Sequence, residues 1–280
     1  GIRDVLGSRG LGMCIRDSDF TGFATDFITY AEGTGTQFDP YIIETANEFA
    51  AVVTGNLYDA NGDVFSTQYV AFKVADNIKA FNLKNTNSSV DFSGNMTAKA
   101  VKDALQPASV SVTPGLEWKS VNPFMGQLDG NGVVVYGLKA VADYAGLIPH
   151  VSYNATVSNI TVKNSYFYGK YASAFIGYNN RPDGINHAII TYRNIVAHSN
   201  VIVSNSTDGE VIDNAGVLFG KSSVVDGSEM KLSDSLVYDN IAYHESRDVT
   251  YGIVGNLHRL NSATIKNCII MDSVPHTLYY

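Results

Sequence analysis

Short apolar segments that end in polar corners recur through the second half of the chain. The aligned segments are Asn159–Val162, Asn194–Ala197, Ser235–Tyr238 and Cys268–Met271. They start 35, 41 and 33 residues apart, and each is followed within a few residues by a polar pair. The polar pairs are Asn164–Ser165, Ser199–Asn200, Asp239–Asn240 and Asp272–Ser273. A constant unit at unequal spacing is typical of a solenoid that carries loop insertions on one side.

One stretch in the middle of the chain, Phe124–Leu138, holds the clearest turn. Its segment Asp129–Gly132 contains two Asx-Gly pairs in succession, which give the backbone easy access to positive φ. Val133–Tyr136 then has the β-branched composition of a short strand. A tight polar corner of this kind closes a hairpin or bends the chain between two faces of a solenoid. The downstream repeats favour the solenoid.

We therefore predict an all-β fold, a single right-handed parallel β-helix (a β-solenoid) with a short N-terminal capping helix. Strands of successive coils would pair at a spacing of about 4.8 Å, and their inward residues would stack in apolar ladders. Corner amides would bond backbone groups that the sheets leave unpaired, so structural roles are predicted for Asn159, Asn164, Asn194 and Asn267. An antiparallel β-sandwich, which short strands also permit, is the alternative.

Two helices are predicted before the repeats begin. Thr45–Val53 starts with a capping box of Thr45 and Glu48, and Gly55 ends it. Thr97–Leu105 is predicted as a second helix, inserted between strands. The other predicted elements are a lead-in strand within Asp19–Glu32, a turn at Asp59–Asp63, and strands at Gln68–Val74 and Ile78–Leu83. A calcium site of the EF-hand type is excluded at that turn because Val70 occupies the twelfth position, where glutamate is required.

Several motifs resemble those of one protein family. The segment Phe124–Leu138 is similar to the entry motif Phe-x-Gly-x-Phe-Asp-Gly-Asn-Gly-His-x-Ile-x-Gly-Leu of bacterial GLUG-repeat, pectate-lyase-like β-helix surface proteins. Leu128 replaces the aromatic residue of that motif, and Val133 replaces its histidine. Further similar segments are Gly33–Thr36, Asp39–Ile43, Ala75–Ile78 with Trp118, and the repeats Ala174–Gly177, Val217–Gly220 and Gly252–Gly255. The resemblance covers roughly Glu32–Tyr280 and implies a surface β-helix with no fixed ligand.

The domain organisation follows from these patterns. Val5–Ser18 resembles translated sequencing-adaptor sequence, so residues 1–18 are predicted to be a non-native leader that includes Cys14. Residues 19–60 form the lead-in and capping helix, and residues 61–280 form the β-helix. No polar cap follows the last repeat, so we expect the native protein to continue and this chain to associate through its last coil.

Amino-acid composition and net charge limit the classes of binding partner that the protein is expected to have. The chain has 280 residues, of which 45% are hydrophobic and 16% charged, as in a globular protein. Its net charge of −8 argues against nucleic acid as a partner, and no apolar run approaches the length of about 18 residues that a membrane helix needs. The two cysteines provide no disulfide framework. No direct membrane insertion is expected.

Catalytic signatures are missing from the sequence. It contains no Gly-x-Ser-x-Gly elbow, no phosphate-binding loop and no His-Glu-x-x-His motif, and its six histidines are scattered. We therefore predict no catalytic residue, no metal and no cofactor. Paired carboxylates for glycoside hydrolysis would have to come from separate parts of the chain, which the sequence does not resolve.

Tyrosines provide the candidate ligand-binding surface. In Ser165–Tyr171, alternation with period two puts Tyr166 and Tyr168 on one face of a strand and Phe167 on the other. If Phe167 points inward, the two tyrosines form an exposed strip that suits sugar rings or protein partners; the alternative is ordinary sheet-surface tyrosine. The sequence contains two long insertions, Tyr178–His187 and Ser204–Asn214. One interpretation is that they are binding loops, and the alternative is that they are solvated loops without a binding role. The candidate residues are Tyr166, Tyr168, Tyr171, Tyr178, Asn180, Arg181 and Asp183.

The sequence thus predicts an extracellular or cell-surface module that acts as a non-catalytic scaffold for adhesion or binding. Its expected partner is a polysaccharide or a surface protein. The alternative is a polysaccharide lyase or glycoside hydrolase of the β-helix type. Two carboxylates, or a carboxylate with Arg or Lys, converging in a groove on one sheet face would favour that alternative.

Overall fold

A computed structural model describes residues 16–152, 154–180, 189–205, 215–222, 228–245, 247–250, 254–256 and 260–271. The helices are α1 (Phe27–Tyr30), α2 (Ala46–Thr54) and α3 (Ala98–Leu105). In chain order the strands are β1 (Arg16–Asp19), β2 (Tyr41–Ile43), β3 (Ala71–Val74), β4 (Ile78–Asn82), β5 (Gln127–Tyr136), β6 (Lys139–Val141), β7 (Tyr144–Ala145), β8 (Ile148–Ser152), β9 (Ala155–Lys163), β10 (Tyr166–Gly169), β11 (Tyr171–Ala172), β12 (Ile176–Asn180), β13 (Ile189–His198), β14 (Val201–Ser204), β15 (Phe219–Ser222), β16 (Ser228–Ser233), β17 (Leu236–Tyr238), β18 (Ile241–His244), β19 (Arg247–Thr250), β20 (Val254–Asn256), β21 (Leu260–Lys266) and β22 (Ile269–Met271).

The strands form four sheets. Sheet 1 has 11 strands and contains the path β1-β4-β5-β9-β13-β16-β21, with β2, β3, β17 and β22 attached. Sheet 2 has the order β19-β18-β14-β10-β6, sheet 3 has the order β20-β15-β12-β8, and sheet 4 is the pair β11-β7. From β5 to β13 the chain twice visits sheets 1, 2, 4 and 3 in that order and then returns to sheet 1.

Strand pairing decides between the two predicted fold classes. Each strand that returns to a sheet pairs in parallel with the strand of the previous pass, as β9 does with β5 and β13 does with β9. Among the described strand pairs, all are parallel except β18 with β19. The antiparallel sandwich is therefore excluded, and the mostly-β fold with long parallel sheets is compatible with a β-helix.

An apolar ladder runs through the interior of sheet 1. Leu128, Val157, Tyr192 and Leu232 occupy one register position on four successive strands, and all four are buried. The Tyr192 hydroxyl donates to the Leu218 carbonyl oxygen at 3.2 Å, which satisfies the polar end of the ring inside the core. Burial raises the pKa of Tyr192 well above its ordinary value, so this phenol stays neutral. The predicted stacking of inward residues is confirmed for this row.

Polar corners form a second ladder across sheet 1, within strands β9 and β13 and between β16 and β17. Asn159, Asn194, Asp234 and Asn267 all have left-handed backbones, with φ between 52° and 57°. The side-chain amide of Asn159 donates to Asp129 at 2.7 Å, and that of Asn267 donates to Asp234 at 3.1 Å. Structural roles predicted for the corner asparagines are thereby confirmed. Asx side chains suit these positions because they tolerate positive φ and bond locally.

One sequence alignment was a residue out of register. The sequence pattern equates Ser235 with Asn194, whereas Val196 pairs with Leu236, which makes Asp234 the equivalent of Asn194. Asp234 also has the left-handed φ of that corner, at 55°. An aspartate and a serine stand side by side there, and apolar periodicity alone does not distinguish them.

A second corner follows each pass of sheet 1 and carries the predicted polar pairs. Asn164, Ser199 and Asp239 have φ of 50°, 55° and 49°. The residues that follow them are buried, and Asn200 donates from its side chain to Asn240 at 3.0 Å and to the Val162 carbonyl oxygen at 2.9 Å. Buried amides are stable here because each bonds to the adjacent coil. The pair Asp272–Ser273 lies outside the described residues.

Two of the repeated glycines are explained by close approach of adjacent strands. Ile176 pairs with Phe219, so Gly177 and Gly220 occupy equivalent positions. A Cβ on Gly220 would lie 2.3 Å from the Gly177 carbonyl oxygen. A side chain at this position would therefore push the two strands apart.

Both predicted helices are present. Thr45 accepts a hydrogen bond from the Glu48 amide, the Glu48 carboxylate accepts from the Thr45 amide, and Gly55 ends α2 at φ 67°. Helix α3 begins at the Thr97 cap and packs over strands β10 and β14 of sheet 2. The turn at Asp59–Asp63 is also confirmed, because Asp59 Oδ1 accepts hydrogen bonds from two amides within it.

The N-terminal prediction needs correction. The lead-in strand predicted within Asp19–Glu32 is wrong, since β1 ends at Asp19 and α1 occupies Phe27–Tyr30. The last three residues of the predicted leader belong to β1, which pairs with β4. Ser18 Oγ also accepts a hydrogen bond from the Ala46 amide, at the start of α2. Residues 1–15 lie outside the described part of the chain.

Candidate functional site

The outer face of sheet 1 carries a groove of about 570 Å³. Strands β3, β5, β9 and β13 form its floor, and the turn before β2 forms one wall. Most of its side chains are polar. The lining residues are Gln37, Pro40, Ala71, Phe72, Lys73, Gln127, Leu128, Asp129, Thr156, Ser158, Thr191 and Arg193.

Parallel register arranges the floor of the groove into two rows across four strands. The first row is Ala71, Gln127, Thr156 and Thr191, and the second row is Lys73, Asp129, Ser158 and Arg193. Neighbouring strands of a sheet lie about 4.8 Å apart, so a linear ligand laid across them meets a new pair of side chains at each strand. Outward side chains alternate with the buried ladder of Leu128, Val157 and Tyr192, which fixes their direction.

Charge in the groove is concentrated in the second row. Lys73 forms an ion pair with Asp76 at 3.0 Å. Hydrogen bonds from Lys73 and then from Asn131 hold the pKa of Asp76 below its ordinary value. Asp129 Oδ1 accepts from the Asn131 amide at 2.9 Å and from Asn159. Arg193 is exposed and has no ion-pair partner among the described residues.

An aromatic ring stands beside the groove. Phe38 lies between the lining residues Gln37 and Pro40 in the turn that forms the wall, and it is 97% exposed. The turn is held by the Thr36 and Asp39 amides, each of which donates to the carbonyl oxygen of the other. An exposed phenyl ring on a fixed turn is suited to stacking on a flat apolar surface such as a sugar face.

The predicted tyrosine strip on β10 is not exposed as expected. Phe167 does point into the core, so Tyr166 and Tyr168 lie on the opposite face as predicted. That face is covered by α3, and Tyr166 is only 4% exposed. Burial raises the pKa of Tyr166 well above its usual range. The Tyr168 hydroxyl donates to a Glu245 carboxylate oxygen at 2.6 Å. No pattern in the sequence indicates that α3 folds back over this strand.

Two other predicted residues do come together. The Tyr171 and Tyr178 rings stack with centroids 5.0 Å apart, at the junction of sheets 3 and 4. Tyr144 contacts both of these rings, and His150 contacts Tyr178; the sequence analysis selected neither residue. Asn180 is the last residue of β12. Arg181 and Asp183 lie outside the described residues.

One group of side chains resembles a catalytic triad only in composition. His198 Nδ1 lies 3.1 Å from Ser199 Oγ, and Ser199 Oγ donates to Asp239 Oδ2 at 3.1 Å. In a nucleophilic triad the histidine lies between the acid and the serine. Here the serine lies in the middle, and its hydroxyl donates to the carboxylate rather than to the histidine. Asp239 also accepts from the Ala98 amide, so the group anchors α3 to the second corner.

The described part of the chain offers neither a metal-binding cluster nor a membrane-spanning helix. No group of three or more His, Cys, Asp or Glu side chains there is placed to hold a metal ion. Its helices are all too short to cross a membrane.

Comparison of the chain with protein-family models, with curated proteins and with solved structures finds no match. The resemblance to GLUG-repeat proteins therefore rests on the sequence motifs alone and remains a prediction. Sequence reasoning also missed the groove. Its residues carried one usable signal, the polar alternation Thr156–Ser158 and Thr191–Arg193, but only the register shows that these segments are neighbours.

Proposed function

We propose that this protein is a non-catalytic module of an extracellular or cell-surface β-helix protein, and that its groove on sheet 1 binds an acidic polysaccharide. A right-handed parallel β-helix would give the sheet the rigidity and length that such a surface needs. The single observation behind the proposal is the pair of in-register rows that crosses four strands of the groove and is polar at every position except Ala71.

The chemistry of the rows favours a sugar polymer that carries carboxylates. Hydroxyl and amide side chains at Gln127, Thr156 and Thr191 offer both donors and acceptors to sugar hydroxyls. Arg193 presents a guanidinium fork, which matches a carboxylate in two parallel hydrogen bonds. Phe38 at the wall supplies an apolar ring for stacking.

The proposal is tested by measuring binding of polygalacturonate, alginate and neutral dextran by isothermal titration calorimetry. We expect binding to at least one uronic-acid polymer and a loss of about tenfold or more in affinity for Arg193→Ala, equivalent to about 1.4 kcal/mol. Arg193→Lys keeps the positive charge but loses the forked guanidinium. Its affinity should therefore lie between that of the parent protein and that of Arg193→Ala. Equal affinity for dextran, or no binding to any polymer, would overturn the proposal.

A matched control removes the same charge elsewhere. Lys119 is exposed and lies outside the groove, so Lys119→Ala changes the net charge as Arg193→Ala does. We expect Lys119→Ala to bind like the parent protein. Equal losses in both variants would show that general charge, rather than the groove, governs binding.

A polysaccharide lyase or glycoside hydrolase is the second candidate, and one observation favours it. The groove brings Asp129 to the same sheet face as Lys73 and Arg193. Against hydrolysis, Asp129 is the single carboxylate among the described lining residues, and its Oδ1 already accepts two hydrogen bonds. Release of reducing ends or unsaturated products from the same polymers would establish the enzyme and refute the scaffold.

A further inference from the structure

Three tyrosines and a histidine pack against one another at the junction of sheets 3 and 4. We name Tyr144, Tyr171, Tyr178 and His150 the tyrosine cluster. Ring centroids lie 4.6 Å apart between Tyr144 and Tyr178, 5.0 Å between Tyr171 and Tyr178, and 5.8 Å between Tyr144 and Tyr171. The three phenol rings are within 22° of parallel. His150 lies 5.3 Å from Tyr144 and 5.5 Å from Tyr178.

Strand pairing holds the cluster in place. Tyr144 on β7 is the register partner of Tyr171 on β11, and His150 on β8 is the register partner of Tyr178 on β12. The cluster therefore joins two successive passes of the chain. Side chains on paired strands stay close without ordering a loop, so the rings are held ready to react with one another.

The surroundings supply positive charge. Lys221 Nζ lies 4.9 Å from the Tyr171 ring centroid, and Lys170 Nζ lies 5.5 Å from it. Burial, and then the neighbouring phenols Tyr178 and Tyr171, raise the pKa of Tyr144 above its ordinary value. A phenol that is neutral at pH 7 must release its proton when it loses an electron. That proton leaves to solvent, and the His150 ring packs beside Tyr144 and Tyr178.

We infer that the tyrosine cluster is a site of oxidative cross-linking, at which a one-electron oxidant converts Tyr178 and a neighbouring tyrosine to dityrosine. Each phenol loses one electron and one proton to give a phenoxyl radical. The two radicals couple through a new carbon–carbon bond between ring carbons ortho to the hydroxyls. Loss of the ring hydrogens as protons to the phenoxyl oxygens restores both aromatic rings. Overall, two phenols yield one dityrosine, two protons and two electrons, and the oxidant takes the electrons.

The bond would tie two passes of the chain together covalently. Tyr144 and Tyr178 lie 34 residues apart in the sequence, so the cross-link closes a loop of one full pass. Closing a loop of that length removes conformational entropy from the unfolded chain, as a disulfide does. The cross-linked protein should therefore unfold at a higher temperature.

A second tyrosine pair within the molecule serves as a control. The Tyr166 and Tyr168 rings are also parallel, but their centroids lie 6.5 Å apart, and Tyr166 is buried beneath α3. Tyr30 and Tyr69 lie outside the cluster and are 72% and 70% exposed, so they report on reaction that follows exposure. Coupling within the cluster but not at these other tyrosines would show that ring geometry, rather than solvent exposure, selects the tyrosines that react.

The experiment oxidises dilute full-length protein with a photo-excited ruthenium complex, with persulfate as the final electron acceptor. We expect dityrosine fluorescence, a loss of two hydrogen masses in the intact monomer, and a cross-linked peptide that contains Tyr178. Both closer pairs contain Tyr178, and Tyr178→Phe leaves the Tyr144–Tyr171 pair with its ring centroids 5.8 Å apart. Tyr178→Phe should therefore lower that fluorescence at least fivefold, whereas Tyr168→Phe should leave it unchanged. Circular dichroism shows whether each variant is folded.

Two further outcomes decide the inference. Tyr144→Phe leaves the Tyr171–Tyr178 pair, so this variant should still cross-link, and it provides a test if Tyr178→Phe fails to fold. Cross-links at Tyr30 or Tyr69, or between molecules, with none inside the cluster would overturn the inference. Unchanged fluorescence in a folded Tyr178→Phe variant would overturn it as well.

Discussion

The side-chain amide of Asn194 donates a hydrogen bond to the side-chain oxygen of Asn159 at 2.8 Å. Both residues have left-handed backbones, and they stand at the same corner of successive passes. Asn159 in turn donates to Asp129, so the Asn159 side chain is both an acceptor and a donor. These bonds satisfy the side-chain amides where the strands pass through left-handed backbone, and they couple the corners of successive passes to one another.

The corner ladder predicts a graded loss of stability at Asn159. Asn159→Gly keeps the positive φ but removes the side-chain bonds, at a cost of about 1–2 kcal/mol in the free energy of unfolding. Asn159→Ala also strains the backbone and should cost about 1–2 kcal/mol more. Urea denaturation measures both values. Asn95→Ala, an exposed position with negative φ, is the control and should change stability by less than about 0.5 kcal/mol.

The N-terminal caps of α2 and α3 predict different losses of stability when each cap residue is replaced. Thr45 shares a reciprocal capping box with Glu48, whereas the side chain of Thr97 only accepts from the Ala100 amide. Thr45→Ala should therefore cost about 1–2 kcal/mol in the free energy of unfolding, and Thr97→Ala about 0.5–1 kcal/mol. Thermal unfolding followed by circular dichroism compares them. Equal melting temperatures for the two variants would contradict the role given to the box.

His198 predicts a dependence of stability on pH. Burial, and then the nearby Lys163 ammonium, lower the pKa of His198 below 6.5, against the opposing effect of Asp239. The folded state therefore binds this proton less readily than the unfolded state. The contribution of neutral His198 to the free energy of unfolding is fully present above pH 6.5. Stability falls as the pH drops through 6.5 toward the pKa of His198 in the folded state. His198→Phe preserves stacking on Tyr238. We expect this variant to lose less unfolding free energy than the parent protein between pH 7.5 and 5.5.

Chemical denaturation at both pH values measures that difference. The parent and Tyr238→Leu variants both retain the histidine, so both should keep the steeper dependence. Identical pH dependence in the parent and His198→Phe would show that other groups cause the change.

Lys139 predicts a rise of stability with pH as well, but in the alkaline range. It is buried against the insertion that carries α3, its Nζ donates to the Val110 carbonyl oxygen at 2.6 Å, and burial lowers its pKa below 10.5. The unfolded state holds this proton more tightly, so stability rises as the pH increases toward 10.5. Lys139→Met fills the same space without a charge. Its unfolding free energy at pH 7 should match or exceed that of the parent, and the alkaline rise should shrink.

Unfolding in guanidinium chloride at pH 7, 9 and 10 measures this effect. Lys119→Met, at an exposed position, is the control and should leave the alkaline trend as it is. A large loss of stability in Lys139→Met at pH 7 would show that the bond to Val110 outweighs the cost of burying the charge.

Local chemistry by itself determined a large part of the fold. The capping box of Thr45 and Glu48 and the left-handed corners at Asn159 and Asn194 are specified by individual residues. Each depends on φ preference or on bonds within a few residues, which a sequence states directly. Repetition of these local signals was enough to predict parallel stacking.

Only the tertiary structure decided which side chains meet. Lys73, Asp129 and Arg193 share the groove because three separate strand registers align them, and a slip of one residue would turn each to the opposite face. The same dependence placed Tyr166 under α3 and joined Tyr178 to Tyr144. Register and the docking of an insertion are set by packing between distant segments, and no local pattern in the chain encodes their outcome.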